Sequence, residues 1–284
     1  MKSTNELIII RGGGDIATGT IQVLNRAGFA VLVLETESPS AIRRLVALSE
    51  AVYDGEYTVE DVTCVCCRDY DQARQVMQSH KVALLVDPQG TSIRDLQPWA
   101  VVDAILAKRN LGTRRDMAPK TIALGPGFCA GVDVDRVIET MRGHNLGRII
   151  SEGSALPNTG VPGIIGGYGK ERVVHSACAG YLYGLVKIGD TVQQGQAMAV
   201  ISPVRRQTGV VAAIAGDVIV AAPLTGLVRG LIRDGYPVTA GFKIADVDPR
   251  ESEWANCFTI SDKARCIGGA VLTALLQLAC QQGE

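Results

Sequence analysis

The residues with the plainest chemical potential lie near the start of the chain. Gly12-Gly13-Gly14-Asp15-Ile16-Ala17 satisfies the spacing G-x-G-x-x-G/A of a dinucleotide-binding turn. Gly12 would allow the tight turn, Gly14 would let backbone approach a pyrophosphate, and Ala17 would let the next helix lie close to its strand. Free N–H groups and the positive end of that helix would then face phosphates. Glu35 follows Gly12 by 23 residues. In this fold an acid there bonds a free ribose hydroxyl and disfavours a 2′-phosphate. Asp15 competes with phosphate for the same amides, holds a metal or hydroxyl, or simply caps the helix. A glycine turn that only packs the helix onto the sheet is the opposing reading, and it stays open.

A second set follows the same logic. Asp87 ends the run Val82-Ala83-Leu84-Leu85-Val86, and Gly125-Pro126-Gly127-Phe128-Cys129-Ala130-Gly131 follows Thr121-Ile122-Ala123-Leu124. Both are strand-to-helix loops in this reading, with Asp133 capping a helix through about Arg142. Gly125 and Gly127 are therefore candidates for a second anion cradle. Cys129 is the one candidate nucleophile, since a helix dipole would lower its pKa; a small loop residue is the alternative. Arg114-Arg115 would meet a ligand phosphate or stand as a solvated pair. Cys64-x-Cys66-Cys67 and His175-x-x-Cys178 lack a second pair at zinc spacing and are read as packing or incidental. No metal site is expected.

These residues need elements to hold them. Leu7–Ile10 and Ala30–Leu34 are continuous apolar runs, as in strands buried on both faces of a parallel sheet. Between them Ile16, Ile21 and Leu24 recur at helical spacing, and Gly28 closes the helix. Repeated strand–loop–helix units imply a Rossmann-like doubly wound parallel sheet over residues 1–155. Right-handed crossovers would bring Gly12–Asp15, Asp87 and Gly125–Gly131 to its carboxyl edge.

From Val173 the pattern becomes short Val/Ile/Leu stretches parted by Gly, Asp-Gly and Pro, and residues 156–250 read as a β-rich module. Residues 180–201 align on 226–247 without gaps, and seven of the 22 pairs are identical. Each half resembles the half-motif of biotinyl/lipoyl-like domains. The joining segment 202–225 has no lysine, so a swinging-arm carrier is disfavoured. Residues 251–284 supply a C-terminal helix with Ser261 as cap. Its Gly268-Gly269 pair costs about 2 kcal/mol against alanines. A close neighbour, either the sheet domain or a second subunit, is expected to offset that.

Composition sets the outer limits. The chain has 284 residues, with 28 basic and 29 acidic side chains and a formal charge of −1. There is no basic excess for a nucleic-acid backbone, and at 5% aromatics there is little to stack bases on. No run of 18 apolar residues is present, and the first residues do not read as a signal peptide. Eight cysteines in a chain of this size point to a reducing cytoplasm.

Several longer strings carry a resemblance. Gly-Gly-Gly-Asp-Ile-Ala-Thr-Gly (12–19), Gly-Thr-Arg-Arg-Asp-Met-Ala-Pro (112–119), Leu-Gly-Pro-Gly-Phe (124–128), Gly-Val-Asp-Val-Asp (131–135), Glu-Thr-Met-Arg-Gly-His (139–144), Leu-Pro-Asn-Thr-Gly-Val-Pro-Gly (156–163) and Ile-Ser-Asp-Lys-Ala (260–264) together resemble the YqeB family. That family is named for selenium-dependent molybdenum hydroxylase systems. It is related in its Rossmann-like part to XdhC, which handles the molybdenum cofactor before insertion. The resemblance implies an accessory role toward a molybdenum hydroxylase apo-enzyme, with homo-oligomers also possible, and it leaves open whether any reaction is catalysed. The expected ligand is a molybdopterin dinucleotide, carried on Gly12, Gly13, Gly14, Asp15, Glu35, Asp87, Gly125 and Gly127. NAD is the alternative cofactor, for an oxidoreductase; a non-catalytic scaffold is the third reading.

Overall fold

The protein's structure is a computed structural model that describes residues 6–158, 163–206 and 214–283. The start of the chain (1–5), part of the 156–163 string and part of the lysine-free segment 202–225 lie outside the described residues.

Two compact units emerge. The first combines Met1–Pro39, Val46–Thr159 and Ile260–Glu284; the second combines Ser40–Leu45 and Gly160–Thr259. The first unit runs β1 (Leu7–Arg11), α1 (Asp15–Arg26), β2 (Ala30–Glu35), α2 (Ala51–Asp54), β3 (Glu56–Val59), β4 (Val62–Cys66), α3 (Tyr70–Gln78), β5 (Val82–Val86), α4 (Ser92–Leu96), β6 (Ala100–Asp103), β7 (Thr121–Leu124), β8 (Cys129–Ala130), β9 (Arg136–Ile138), β10 (Ile149–Ile150) and β11 (Gly153–Ser154).

Nine of these strands form one sheet in the order β10-β9-β7-β6-β1-β2-β5-β4-β3. Neighbours from β9 to β4 are parallel, and β10 and β3 close the two edges antiparallel. The sheet is therefore mixed. Its β6-to-β7 and β7-to-β9 crossovers carry no α-helix. This overturns the expected Rossmann-like doubly wound parallel sheet. The physical reason lies in the crossovers. Residues 104–120 hold Asn110, Gly112, three arginines and Pro119, and form only a 3₁₀ turn at Arg115–Met117. The helix expected from Asp133 to Arg142 is instead a turn followed by β9. Val137 and Ile138 are buried in β9 and Val134 in an isolated bridge to Ala130, none of them on a helix face.

The second unit contains β12 (Val173–His175), β13 (Gly180–Gly184), β14 (Thr191–Val192), β15 (Ala197–Ser202), β16 (Val218–Ala221), β17 (Gly226–Leu231), β18 (Tyr236–Val238) and β19 (Lys243–Asp248). The internal repeat is visible here: β13, β14 and β15 correspond to β17, β18 and β19. Each copy lends its middle strand to the other's sheet, because β14 pairs with β17 and β18 with β13. The result is two four-stranded antiparallel sheets, β12-β19-β17-β14 and β16-β15-β13-β18. The biotinyl/lipoyl-like expectation is corrected with the rest of the fold class. The unit adds β12 and β16 to the repeat and draws in Ser40–Leu45 from far upstream.

The last element, α5 (Asp262–Gln282), starts at Ser261, whose side chain accepts from the Ala264 amide. It returns to the first unit and lies along α1. A Cβ on Gly19 would sit 2.4 Å from the Ala264 carbonyl oxygen, and one on Gly268 would sit 2.6 Å from that of Gly19. Those two missing side chains let the backbones meet. Burial of Ala264, Ile267, Val271, Ala274 and Leu275 offsets the poor helix propensity of glycine. Among the described residues Glu251–Gln281 is the one helical stretch long and apolar enough by composition to cross a membrane. Here its apolar face is spent on the core.

Gly19→Ala should therefore destabilise the protein by about 1–3 kcal/mol, despite alanine's better propensity. Gly269, with nothing within 4 Å of its absent Cβ, should gain up to about 1 kcal/mol on the same change. Urea denaturation of the two variants checks the pair, and equal effects would refute the close crossing.

Candidate functional site

The carboxyl ends of β1, β2, β5 and β6 converge on one edge of the nine-stranded sheet. Arg11 ends β1 in register with Asp103, which ends β6. Both are 2% exposed. A buried guanidinium needs acceptors. Its Nη1 donates to Thr113 Oγ1 at 2.5 Å, and its Nη2 to the Pro88 and Leu111 carbonyls at 3.2 and 3.5 Å. The Thr113 hydroxyl in turn donates to Asp103 Oδ2 at 2.5 Å. The direct Arg11–Asp103 separation is 3.8 Å. Burial pushes the Asp103 carboxyl above the ordinary aspartate range, against the pull of Thr113, the Ile105 amide and Arg11. Arg11 Nε has no hydrogen-bond partner among the described residues.

Directly after Arg11 comes the glycine turn. The Gly12 amide donates to the Leu34 carbonyl at 2.8 Å, and the Gly13 amide to Glu35 Oε2 at 2.8 Å. Gly12 has φ +94°, and a Cβ there would lie 3.0 Å from the Ala104 oxygen. Gly13 backs against Ser49, whose amide donates to the Gly13 carbonyl. Two of the three glycines are thus fixed by the fold itself. Gly14 differs. It caps α1 with φ −66° and no side-chain bond, its amide has no hydrogen-bond partner among the described residues, and a Cβ there would meet nothing within 4 Å. Asp15 opens α1 and has an interaction partner within the chain.

Glu35 accepts from Gly13 with one oxygen and from the Thr36 amide with the other, each at 2.8 Å. A carboxylate offers about four lone-pair sites, so acceptor capacity remains. Glu35 lines a cavity of about 280 Å³ together with Arg11, Gly12, Thr36, Gln89 and Leu111. That is at the lower end of small-molecule pockets.

Asp87 lies on the same edge but is occupied. Its oxygens accept from the amides and hydroxyls of Thr91 and Ser92 at 2.7–3.1 Å, which starts α4. Burial alone would raise its pKa, but those four bonds hold it below the ordinary value.

The second glycine loop is shaped by packing. A Cβ on Gly125 would lie 2.6 Å from Thr140 Oγ1, and one on Gly127 would lie 2.7 Å from the Arg109 backbone. The Cys129 amide donates to Asp133 Oδ2 at 2.8 Å, and no helix follows to act on the thiol. Arg115 binds Asp135 at 2.6 Å and Arg114 pairs with Asp116 at 3.0 Å. Cys64, Cys66 and Cys67 are thiols whose pKa values burial pushes up, which removes nucleophilic character. His144 and His175 are exposed.

The site therefore gathers Gly12, Gly13, Gly14 and Glu35, with Asp87 nearby in a capping role, and leaves Gly125, Gly127 and Cys129 to a packed loop. Sequence reasoning missed Arg11, Asp103 and Thr113. The signal available was a charged residue closing each of two otherwise apolar strand runs.

No family model matches the chain. Over 279 residues the chain is 49% identical to "Uncharacterized protein YqeB" of Escherichia coli (strain K12), a match that covers 98% of this chain and 49% of that protein. The chain is thus a relative of YqeB along nearly all its own length and spans about half the length of that curated relative. Among solved structures it is similar to the product-bound ectoine utilization protein EutE (DoeB) of Ruegeria pomeroyi (16% identity, 85% of this chain and 57% of that one, TM-score 0.24). It is also similar to an aspartoacylase family protein of Mesorhizobium loti (11%, 87% and 86%, TM-score 0.28) and to a succinylglutamate desuccinylase of Silicibacter (13%, 87% and 85%, TM-score 0.25). Scores of that size carry no argument about fold or activity.

The Asp87 cap has a pH signature. A carboxylate with a depressed folded pKa contributes stability that is complete above its unfolded value, about 4, and is lost as pH falls through the folded one. Asp87→Asn should cost about 1 kcal/mol at pH 7 and flatten the acid limb of stability below pH about 4. Urea midpoints from about pH 2 to about pH 7 would show it; an unchanged acid limb would count against the cap.

Proposed function

We propose that the carboxyl edge of the nine-stranded sheet binds a nucleotide-bearing ligand, with the ribose at Glu35 and a phosphate at Gly14. The observation that carries this is Gly14: an amide without a partner among the described residues at the start of a 12-residue helix, on a backbone position that opens onto free space and directly follows Gly13, whose amide holds Glu35. A helix start of that kind favours an anion. The bonds from Gly13 and Thr36 orient the Glu35 carboxylate and leave acceptor sites for a ribose diol, while its charge repels a 2′-phosphate. Gly12 and Gly13 serve as the rigid frame of the turn, so the phosphate cradle is narrower than a turn with three open amides.

The biological reading follows the YqeB resemblance. The protein acts in the cytosol as an accessory in the maturation of a molybdenum hydroxylase, selenium-dependent by the family's association. It holds the dinucleotide form of the molybdopterin cofactor as cargo and meets the apo-enzyme as partner.

Calorimetric titration with molybdopterin cytosine dinucleotide tests the reading. Binding by the natural protein and a loss of tenfold or more in Gly14→Val are expected. That variant should remain folded, because its side chain enters open space and a poor cap residue costs only about 1 kcal/mol. Absence of binding, or undiminished binding by Gly14→Val, would overturn it. Protection against heat by NADH alone would instead favour a nicotinamide-dependent oxidoreductase.

A further inference from the structure

Asp15 poses a problem for any anion at Gly14. It opens α1 one residue after Gly14, and a carboxylate there repels a phosphate held by the Gly14 amide. A helix start favours an acid for the same reason that it favours a phosphate. The two therefore compete unless another group cancels the charge of the carboxylate.

The start of α5 supplies a cation. Gly19 lies against Ala264, and Gly268 lies against the Gly19 oxygen and Val23. The two helices therefore run in the same direction, with their first turns side by side. Each first turn carries one acid, Asp15 in α1 and Asp262 in α5. Asp262 is answered by Arg142, from the segment after β9, through two bonds of 3.0 and 3.2 Å. Lys263 is half-buried next to Ala264 and stands within electrostatic reach of Asp15, Glu139, Asp262 and Arg142. Glu139 is engaged by the Met141 and Leu156 amides at 2.7 and 2.8 Å. Of the three acids, Asp15 attracts the ammonium most strongly. Burial and Arg142 push the Lys263 ammonium below the ordinary lysine range, and the three acids pull it back up.

We propose that Lys263 is a positioning residue of the phosphate site, whose ammonium cancels the charge of Asp15 so that an anionic group can sit at the Gly14 amide. This rests on the nucleotide reading and adds a condition to it: the site accepts an anion while Lys263 carries its proton. The ammonium acts through Asp15 rather than on the phosphate itself. Anion binding is therefore complete below the folded pKa of Lys263 and fades as pH rises through it.

The test is a double-mutant cycle read by titration calorimetry, with cytidine 5′-diphosphate as probe and cytidine as the phosphate-free control. Thermal unfolding of each variant verifies folding. Lys263→Gln should weaken diphosphate binding about tenfold. Lys263→Arg, which keeps the charge, should weaken it far less, and affinity for cytidine should not move in either variant. Asp15→Asn should bind the diphosphate at least as tightly as the natural protein, and adding Lys263→Gln to it should cost less than about twofold. Between about pH 7 and about pH 10 the natural protein should lose diphosphate affinity as the ammonium gives up its proton, while Asp15→Asn holds most of its own. A loss from Lys263→Gln that is as large in the Asp15→Asn background, or that extends to cytidine, marks a direct or merely structural role and overturns the proposal; so does no loss at all. In those cases diphosphate binding by the natural protein still leaves the nucleotide reading in place. If the natural protein does not bind the diphosphate, that reading has itself failed and the assignment of Lys263 falls with it.

Discussion

A guanidinium removed from water has to be satisfied by the protein, and at Arg11 that demand organises the whole carboxyl edge. Its hydrogen bonds reach the loop after β5 through Pro88 and the loop after β6 through Leu111 and Thr113. Two separate loops are thereby tied to the end of the central strand. Those same loops, with the end of β2, wall the small cavity. Removing the charge would release loops as well as a contact, since Thr113 and Asp103 would lose the donor that closes their chain of bonds.

A second regularity runs through the first unit: acids are used to hold loop amides. Glu35 takes Gly13, Asp87 takes Thr91 and Ser92, Asp133 takes Cys129, and Glu139 takes Met141 and Leu156. Where crossovers lack helices, backbone donors have no helical ladder to join, and a carboxylate supplies two acceptors at once. The same economy explains why Asp87, which reads as ligand-binding in the sequence, is engaged already. The exception that matters is Glu35, which is engaged and still lines an open hollow.

How far the sequence could be read follows from which forces were local. β1, α1 and β2 were legible because a doubly buried strand and an amphipathic helix leave strong periodic signatures, and Ser261 announced α5. The repeat in the second unit was legible because both copies need the same glycines at the same turns, as at Gly189 and Gly235. The stretch after Asp133 was misread because Val134, Val137 and Ile138 match helical spacing equally well, and pairing with β7 decided the matter from far away. β6 was missed because Ala100–Asp103 is only four residues long and ends on a charge. At the site, the glycine turn and Glu35 were visible, yet the bond between them was not. Neither was the Arg11–Thr113–Asp103 chain, which links residues about a hundred positions apart.

The return of α5 to α1 has a consequence for how the molecule is made. Residues Ile260–Glu284 complete a unit that begins at the other end of the chain, with the antiparallel unit threaded between. During synthesis the apolar flank of α1 beside Gly19 stays bare until the ribosome has produced everything in between, so the nascent sheet must wait, exposed, for its final covering. A chaperone that recognises uncovered apolar helices would find its substrate in that interval.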